Sequence, residues 1–139
     1  MSASPVDDWL GAIDRRDLDA AMAMVSPDCR LLVVDGRRAE GSEAVRALLA
    51  TYLAAVRSSA HHITAQWHQD GVWIAEVEAD YELIDRLRIT ARPRAFVIRE
   101  GTHGFADIRV YGAHEQPLTE HAAGGEKGMH LGGHLVPPL

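Results

Sequence analysis

Trp73-Ile74-Ala75-Glu76-Val77-Glu78-Ala79-Asp80-Tyr81-Glu82-Leu83-Ile84 sends Trp73, Ala75, Val77, Ala79, Tyr81 and Leu83 to one side and Glu76, Glu78, Asp80 and Glu82 to the other. A period of two is that of a strand with one buried and one polar face. Three further strands are predicted around it: His61 to His68, Arg92 to Arg99 and Phe105 to Gly112. Gln69-Asp70-Gly71 is a short turn whose glycine can take positive φ, and Glu100-Gly101-Thr102-His103-Gly104 is a longer one. Both connections therefore read as hairpins.

Upstream of this sheet the period changes. Ser4-Pro5 starts a helix, with Ser4 as cap, Pro5 in the first turn, and Asp7 and Asp8 at the positive end of the dipole. Val6, Trp9, Leu10 and Ile13 are its apolar stripe. A second short helix runs from Asp17 to Val25, and Ser26-Pro27-Asp28 breaks it. Arg30 to Val34 is a short apolar strand ended by Asp35-Gly36. A third helix, capped by Ser42 and running to about Arg57, carries Val45, Leu48, Leu49, Tyr52, Leu53 and Val56 at three-four spacing. Helices followed by antiparallel strands define an α+β domain.

The chain has 139 residues, 47% of them hydrophobic, which suits one domain that folds without metals or disulfides. A formal charge of −6 with a single lysine offers no basic stripe. Nucleic acid and anionic membrane surfaces are therefore not expected partners. The first residues lack the basic and apolar regions of a secretory signal, and no run is long enough to span a bilayer. Cys29 stands alone, beside Pro27-Asp28, and reads as small apolar filler in a cytoplasmic protein.

From Glu115 the composition turns to Gly, His and Pro. Residues 1–116 are read as the domain and 117–139 as a tail, unless Met129, Leu131, Leu135 and Val136 dock onto the domain or a partner subunit. His114, His121, His130 and His134 have poor spacing for a metal, because paired glycines oppose the helix that would align them. No metal and no cofactor is expected.

The order Trp9 to Asp17, Asp17-Leu18-Asp19-Ala20, Ser26-Pro27-Asp28, Asp35-Gly36, Gly41-Ser42-Glu43-Ala44-Val45 and Arg109-Val110-Tyr111 resembles the nuclear transport factor 2-like superfamily, particularly its SnoaL-like branch. The resemblance covers about residues 6 to 116. It implies a cone-shaped, curved antiparallel sheet wrapped by three N-terminal helices, an α+β barrel of cystatin-like type. It also implies an apolar ligand cavity and a homodimer formed through the convex sheet face. Ketosteroid isomerases, polyketide cyclases, limonene epoxide hydrolase and scytalone dehydratase share this fold, so fold alone does not choose a reaction.

By the same resemblance, Trp9 stands where the isomerases carry a tyrosine acid, Val33 where they carry the carboxylate base, and Arg94 where a protonated aspartic acid donates to the enolate. Val110 stands where the cyclases and the epoxide hydrolase place an aspartate. Without the base, ketosteroid isomerisation is disfavoured.

The remaining candidates come from the residues themselves. A hairpin centred near Leu87 puts Asp80 across from Arg94; a register one residue different puts Tyr81 there. An Asp80–Arg94 pair is either an acid/base or ligand-binding site or an exposed cross-strand ion pair. His61 and His62 are adjacent on a strand, so one must face inward, and His62 or Asp80 is the expected acid/base group. Tyr52 on the buried helix stripe orients a ligand or reaches the rim, and Trp9 and Phe96 are cavity wall or core. The expected function is binding of a small apolar, polyketide-like or aromatic molecule. Its catalytic form is a cofactor-free isomerase, dehydratase or cyclase using Asp80, Arg94 and His62, with Trp9, Val33, Tyr52, Tyr81, Phe96 and Val110 against the ligand. The competing reading is a noncatalytic binding or accessory domain.

Overall fold

The computed structural model describes residues 4–113. The expectations placed on 114–139, including the tail's docking residues and histidines, lie outside the described residues. The chain runs α1 (Pro5–Asp14), α2 (Leu18–Ala23), β1 (Val25–Leu32), β2 (Arg38–Glu40), α3 (Ser42–Ala55), β3 (Val56–Gln69), β4 (Val72–Leu83), β5 (Arg88–Gly101) and β6 (Gly104–Tyr111). No helix among the described residues is long and apolar enough to cross a membrane.

Local chemistry accounts for the helix ends. Ser4 Oγ accepts from Asp7 N at 3.1 Å while the Asp7 side chain returns a bond to Ser4 N, a reciprocal box that satisfies two orphan donors of α1. Asp17 does the same singly for α2 through Ala20 N. At α3 the expected capping role of Ser42 is corrected: Gly41 occupies the N-cap at φ 89°, with no side-chain cap bond, and Ser42 is the first helical residue. Gly41 N is instead held by Cys29 O at 2.8 Å.

The six strands form one sheet in the order β2-β1-β6-β5-β4-β3. The cone-shaped antiparallel barrel expected from the resemblance is not what the chain forms. The sheet is mixed, because β1 runs parallel to β6, with Leu31 opposite Ile108. Its end strands β2 and β3 are not paired to each other, so it stays open and is not strongly curled. Closure needs both edges to meet in register, and here β2 has only three residues. The α+β class and the three helices stand.

Strand boundaries also move. β3 starts at Val56 because α3 passes into it without a loop; Arg57 and the two serines carry no apolar signal, yet Ser58 and Ser59 pair with Glu82 and Tyr81 of β4, with Arg57 at the register shift after the Val56–Leu83 pair. β1 starts at Val25 and contains Pro27, tolerated where pairing to β6 is interrupted between Val25 and Arg30 and β2 has not yet begun.

The core lies between the helices and one sheet face. Val6, Trp9, Leu10 and Ile13 of α1 and Val45, Leu49 and Tyr52 of α3 bury against Leu31, Ala75, Val77, Ala79, Tyr81, Phe96, Ile98, Ile108 and Val110. The opposite sheet face carries the acidic row. Cys29 is fully buried, and burial followed by Asp107 and Asp28 pushes its thiol up to about 11, in keeping with a filler.

Candidate functional site

Asp14 is the last residue of α1. A carboxylate there faces the negative end of the helix dipole and must be compensated. Its Oδ1 accepts from Ser59 Oγ at 2.7 Å and contacts His61 Nδ1 at 2.7 Å, while its Oδ2 accepts from His61 N at 2.8 Å. Burial alone would raise the Asp14 pKa; the hydrogen bonds and charge of His61, with Ser59, outweigh it and leave the group below its ordinary value. An ionised carboxylate only accepts, so His61 Nδ1 is the nitrogen that donates to Asp14, and Nε2 points away from it.

That Nε2 is buried and meets no hydrogen-bond partner in the described residues. The His61 side chain is 0% exposed and lies edge-on to Tyr81 and Phe96 at 5.8 and 6.0 Å between centroids. Phe96 in turn meets Trp9 edge-on at 6.5 Å. The Trp9 Nε1 and Tyr52 hydroxyl are likewise buried without a partner in hydrogen-bond geometry. Ser59 neighbours Tyr52, but its hydroxyl is directed to Asp14. Burial, then Tyr81, push the Tyr52 hydroxyl far above the ordinary tyrosine range against a smaller opposing effect of Ser59, so it is a neutral donor. Orphan polar atoms inside a protein are uncommon and costly. The rings of His61 and Trp9 both lie edge-on to Phe96.

Arg94 is 3% exposed, opposite Val77 in the ladder, with its guanidinium 5.9 Å from the centre of the Tyr81 ring and Nη1 donating to Pro93 O at 3.0 Å. Gly112 makes room for it: a Cβ there would lie 2.9 Å from Arg94 Nη1. Neither register weighed for the hairpin is taken: Arg94 lies opposite Val77 and Tyr81 opposite Ile89, and Tyr81 meets Arg94 only through the face of its ring.

Asp80 is not brought to Arg94. β4 and β5 slip in register between Ala79 and Tyr81, and Asp80 sits on the outer sheet face, where its Oδ1 accepts from Ala91 N at 2.8 Å. Ala91 has φ 54°, so Asp80 holds a strained corner of β5. His62, with its side chain 63% exposed, lies on that same face with Nε2 3.6 Å from Asp80 Oδ2. The alternation of a strand separates the neighbours: His61 turns in and His62 turns out. Val33 and Val110 are buried apolar residues, Val33 in the turn closed by Gly36 N to Val33 O.

Asp14 was not identified from the sequence, since 47 residues separate it from His61. One signal was legible: an acid in the last turn of a helix, against the dipole.

A family model described as a SnoaL-like domain matches residues 6–119. No curated protein matches the sequence. Among solved structures, the chain is similar to a protein of ketosteroid isomerase-like fold from Catenulispora acidiphila in complex with trimethylamine. The two are 16% identical at a TM-score of 0.72, over 80% of this chain and 88% of that one. It is similar to an epoxide hydrolase of M. tuberculosis resembling the LEH type, 18% identical at a TM-score of 0.68, over 94% and 90%. It is also similar to TerC co-crystallised with polyporic acid, 9% identical at a TM-score of 0.68, over 78% and 88%. At these identities the likeness is one of fold. The fold family includes small-molecule-binding and some catalytic proteins.

Proposed function

The chain belongs to the SnoaL-like domain family, and from that premise we propose that it binds a small, mainly apolar molecule between its helices and sheet and moves a proton on it without a cofactor. The observation that carries this reading is the Asp14–His61 contact, which fixes the tautomer of a buried imidazole and leaves Nε2 among Tyr81, Phe96 and Trp9. Isomerisation, dehydration and cyclisation all need a base for a carbon-bound or hydroxyl proton and donors for the oxygen that gains charge. His61 Nε2 is the base and Asp14 orients it. Tyr52 and Trp9 are neutral donors, and Arg94 supplies a fixed positive charge. The ring-lined surroundings favour a polyketide-like or aromatic ligand.

The test begins with the small molecules retained by the purified protein, identified by mass spectrometry, followed by deuterium uptake into them and into a panel of aromatic ketones and alcohols. Uptake that is lost in His61→Gln and Asp14→Asn supports the reading. Retained or added molecules that bind but never exchange a proton sink the catalytic part.

A second reading, a noncatalytic binding or accessory domain that associates with a second copy through its outer sheet face, is favoured by a different observation. Trp67, Ile74 and Tyr111 are 55%, 42% and 45% exposed. An open groove of about 460 Å³ passes over Thr64, Glu76, Glu78, Pro93, Ala95 and Tyr111. Light scattering of the wild type and of Trp67→Arg distinguishes a dimer on this face from a monomer.

A further inference from the structure

Arg16 stands at an unusual place. α1 ends in a Schellman motif, with Arg16 N donating to Ile13 O and Asp17 N to Ala12 O, both at 2.9 Å. The residue after the cap then takes the left-handed conformation, and glycine is the usual choice because it has no Cβ to clash. Here it is arginine, at φ 63°. A left-handed non-glycine residue is strained by the approach of its Cβ to the backbone, and the Arg16 side chain makes contacts that a glycine could not.

That side chain spans to the end of α3. Arg16 Nη2 donates to Leu53 O at 2.5 Å, and Nη1 donates to Val56 O at 2.6 Å and Arg57 O at 3.2 Å. Terminal helix carbonyls need partners from outside the helix. Tyr52 O is taken by Val56 N and Ala55 O by Ile84 N at 3.1 Å, and the Arg16 fork supplies the partner at Leu53 O. A guanidinium at this end is also favoured by the helix dipole.

The other half of the same crosslink is the candidate site. Two residues before Arg16, Asp14 grips Ser59 and His61; Arg16 grips Leu53, Val56 and Arg57. Because α3 runs into β3 without a loop, the direction of that junction decides where Ser59 and His61 arrive, and Tyr52 lies one residue from the clamp. We propose that Arg16 is a positioning residue for the Asp14–His61 pair, locking the α1 terminus and the α3–β3 junction in the one relative placement that brings carboxylate and imidazole into contact. The proposal rests on the reading of that pair as the acid/base centre.

Arg16→Gly and Arg16→Lys test it in the full chain. Glycine deletes the fork while relieving the backbone strain, so the variant keeps its fold; lysine keeps one charge and loses the fork. Two NMR readouts report on the pair: hydrogen exchange of the His61 Nδ1 proton, and the titration midpoint of the Asp14 carboxyl carbon. In Arg16→Gly the exchange accelerates about tenfold or more through local opening, the Asp14 midpoint rises toward 3.8, and Arg16→Lys lies between that variant and the wild type. Wild-type exchange and midpoint in Arg16→Gly, whatever its melting temperature, would overturn the positioning role and leave Arg16 a surface staple. A wild-type protein with no protected His61 Nδ1 proton overturns the acid/base reading itself, and the positioning role with it.

Discussion

Asp14 holds the Nδ1 side of His61 at 2.7 Å from the end of α1 where a carboxylate is electrostatically least favoured. The same carboxylate takes Ser59 and the His61 backbone, and these partners outweigh the cost of burial.

Asp14 therefore links stability to pH. Its pKa in the folded protein lies below its ordinary 3.8. Its contribution is fully present above the unfolded value and is lost as pH falls through the folded one. Melting temperatures of wild type and Asp14→Asn, followed from neutral pH downward, should differ most above that range and converge below it. A gap that persists unchanged at the lowest pH contradicts an ionised Asp14 as its source.

Tyr52→Phe separates stability from binding. The hydroxyl is buried with no partner in hydrogen-bond geometry, so its removal should leave the free protein unchanged or stabilise it by about 0.5–1.5 kcal/mol. Binding of any retained ligand should weaken. Urea denaturation checks the first effect and titration calorimetry the second; a variant destabilised by more than about 2 kcal/mol would point to a structural hydroxyl.

The outer-face role of Asp80 gives opposite signs at two neighbours. Asp80→Ala removes the acceptor for Ala91 N and should destabilise. Ala91→Gly relieves a left-handed backbone at φ 54° and should stabilise by about 1 kcal/mol. Chemical denaturation of both variants measures this, and proton-transfer activity should survive in each.

Gly112→Ala places a methyl 3.0 Å from Pro93 O and from the Arg94 stem. Backbone on one side and a packed guanidinium on the other leave little room to yield, so a loss of about 1–3 kcal/mol is expected. A crystal structure of the variant should show Arg94 displaced from the Tyr81 ring.

Cys29 should resist thiol reagents at pH 8, where its thiol, pushed up to about 11 and fully buried, is protonated. Labelling should follow the unfolding rate in urea rather than the reagent's intrinsic rate. Fast labelling of the native protein would contradict this burial.

Much of the fold was legible because period and punctuation are local. Trp73 to Leu83 alternates, and its apolar set is the buried one; Ser4-Pro5 starts a helix as its chemistry requires. The parallel pairing of β1 with β6 was not legible, since Leu31 and Ile108 are brought together by tertiary packing alone. The site divided in the same way. That one of two adjacent histidines faces inward follows from strand geometry, but which one does depends on register, and β3 changes register twice, between Val56 and Ser58 and between Ile63 and Ala65.

By itself, the sequence determined the class of the domain, the residues that would be buried, and the presence of an inward imidazole, because each is a matter of side-chain polarity read at a regular spacing. Only the tertiary structure decided that this imidazole is His61 and that its partner is Asp14. It also placed Arg94 with Tyr81 rather than Asp80. The physical reason is that hydrogen-bond partners from a helix end and a distant strand are selected by where bulges and a loopless α3–β3 junction set the chain, and no local pattern records those displacements.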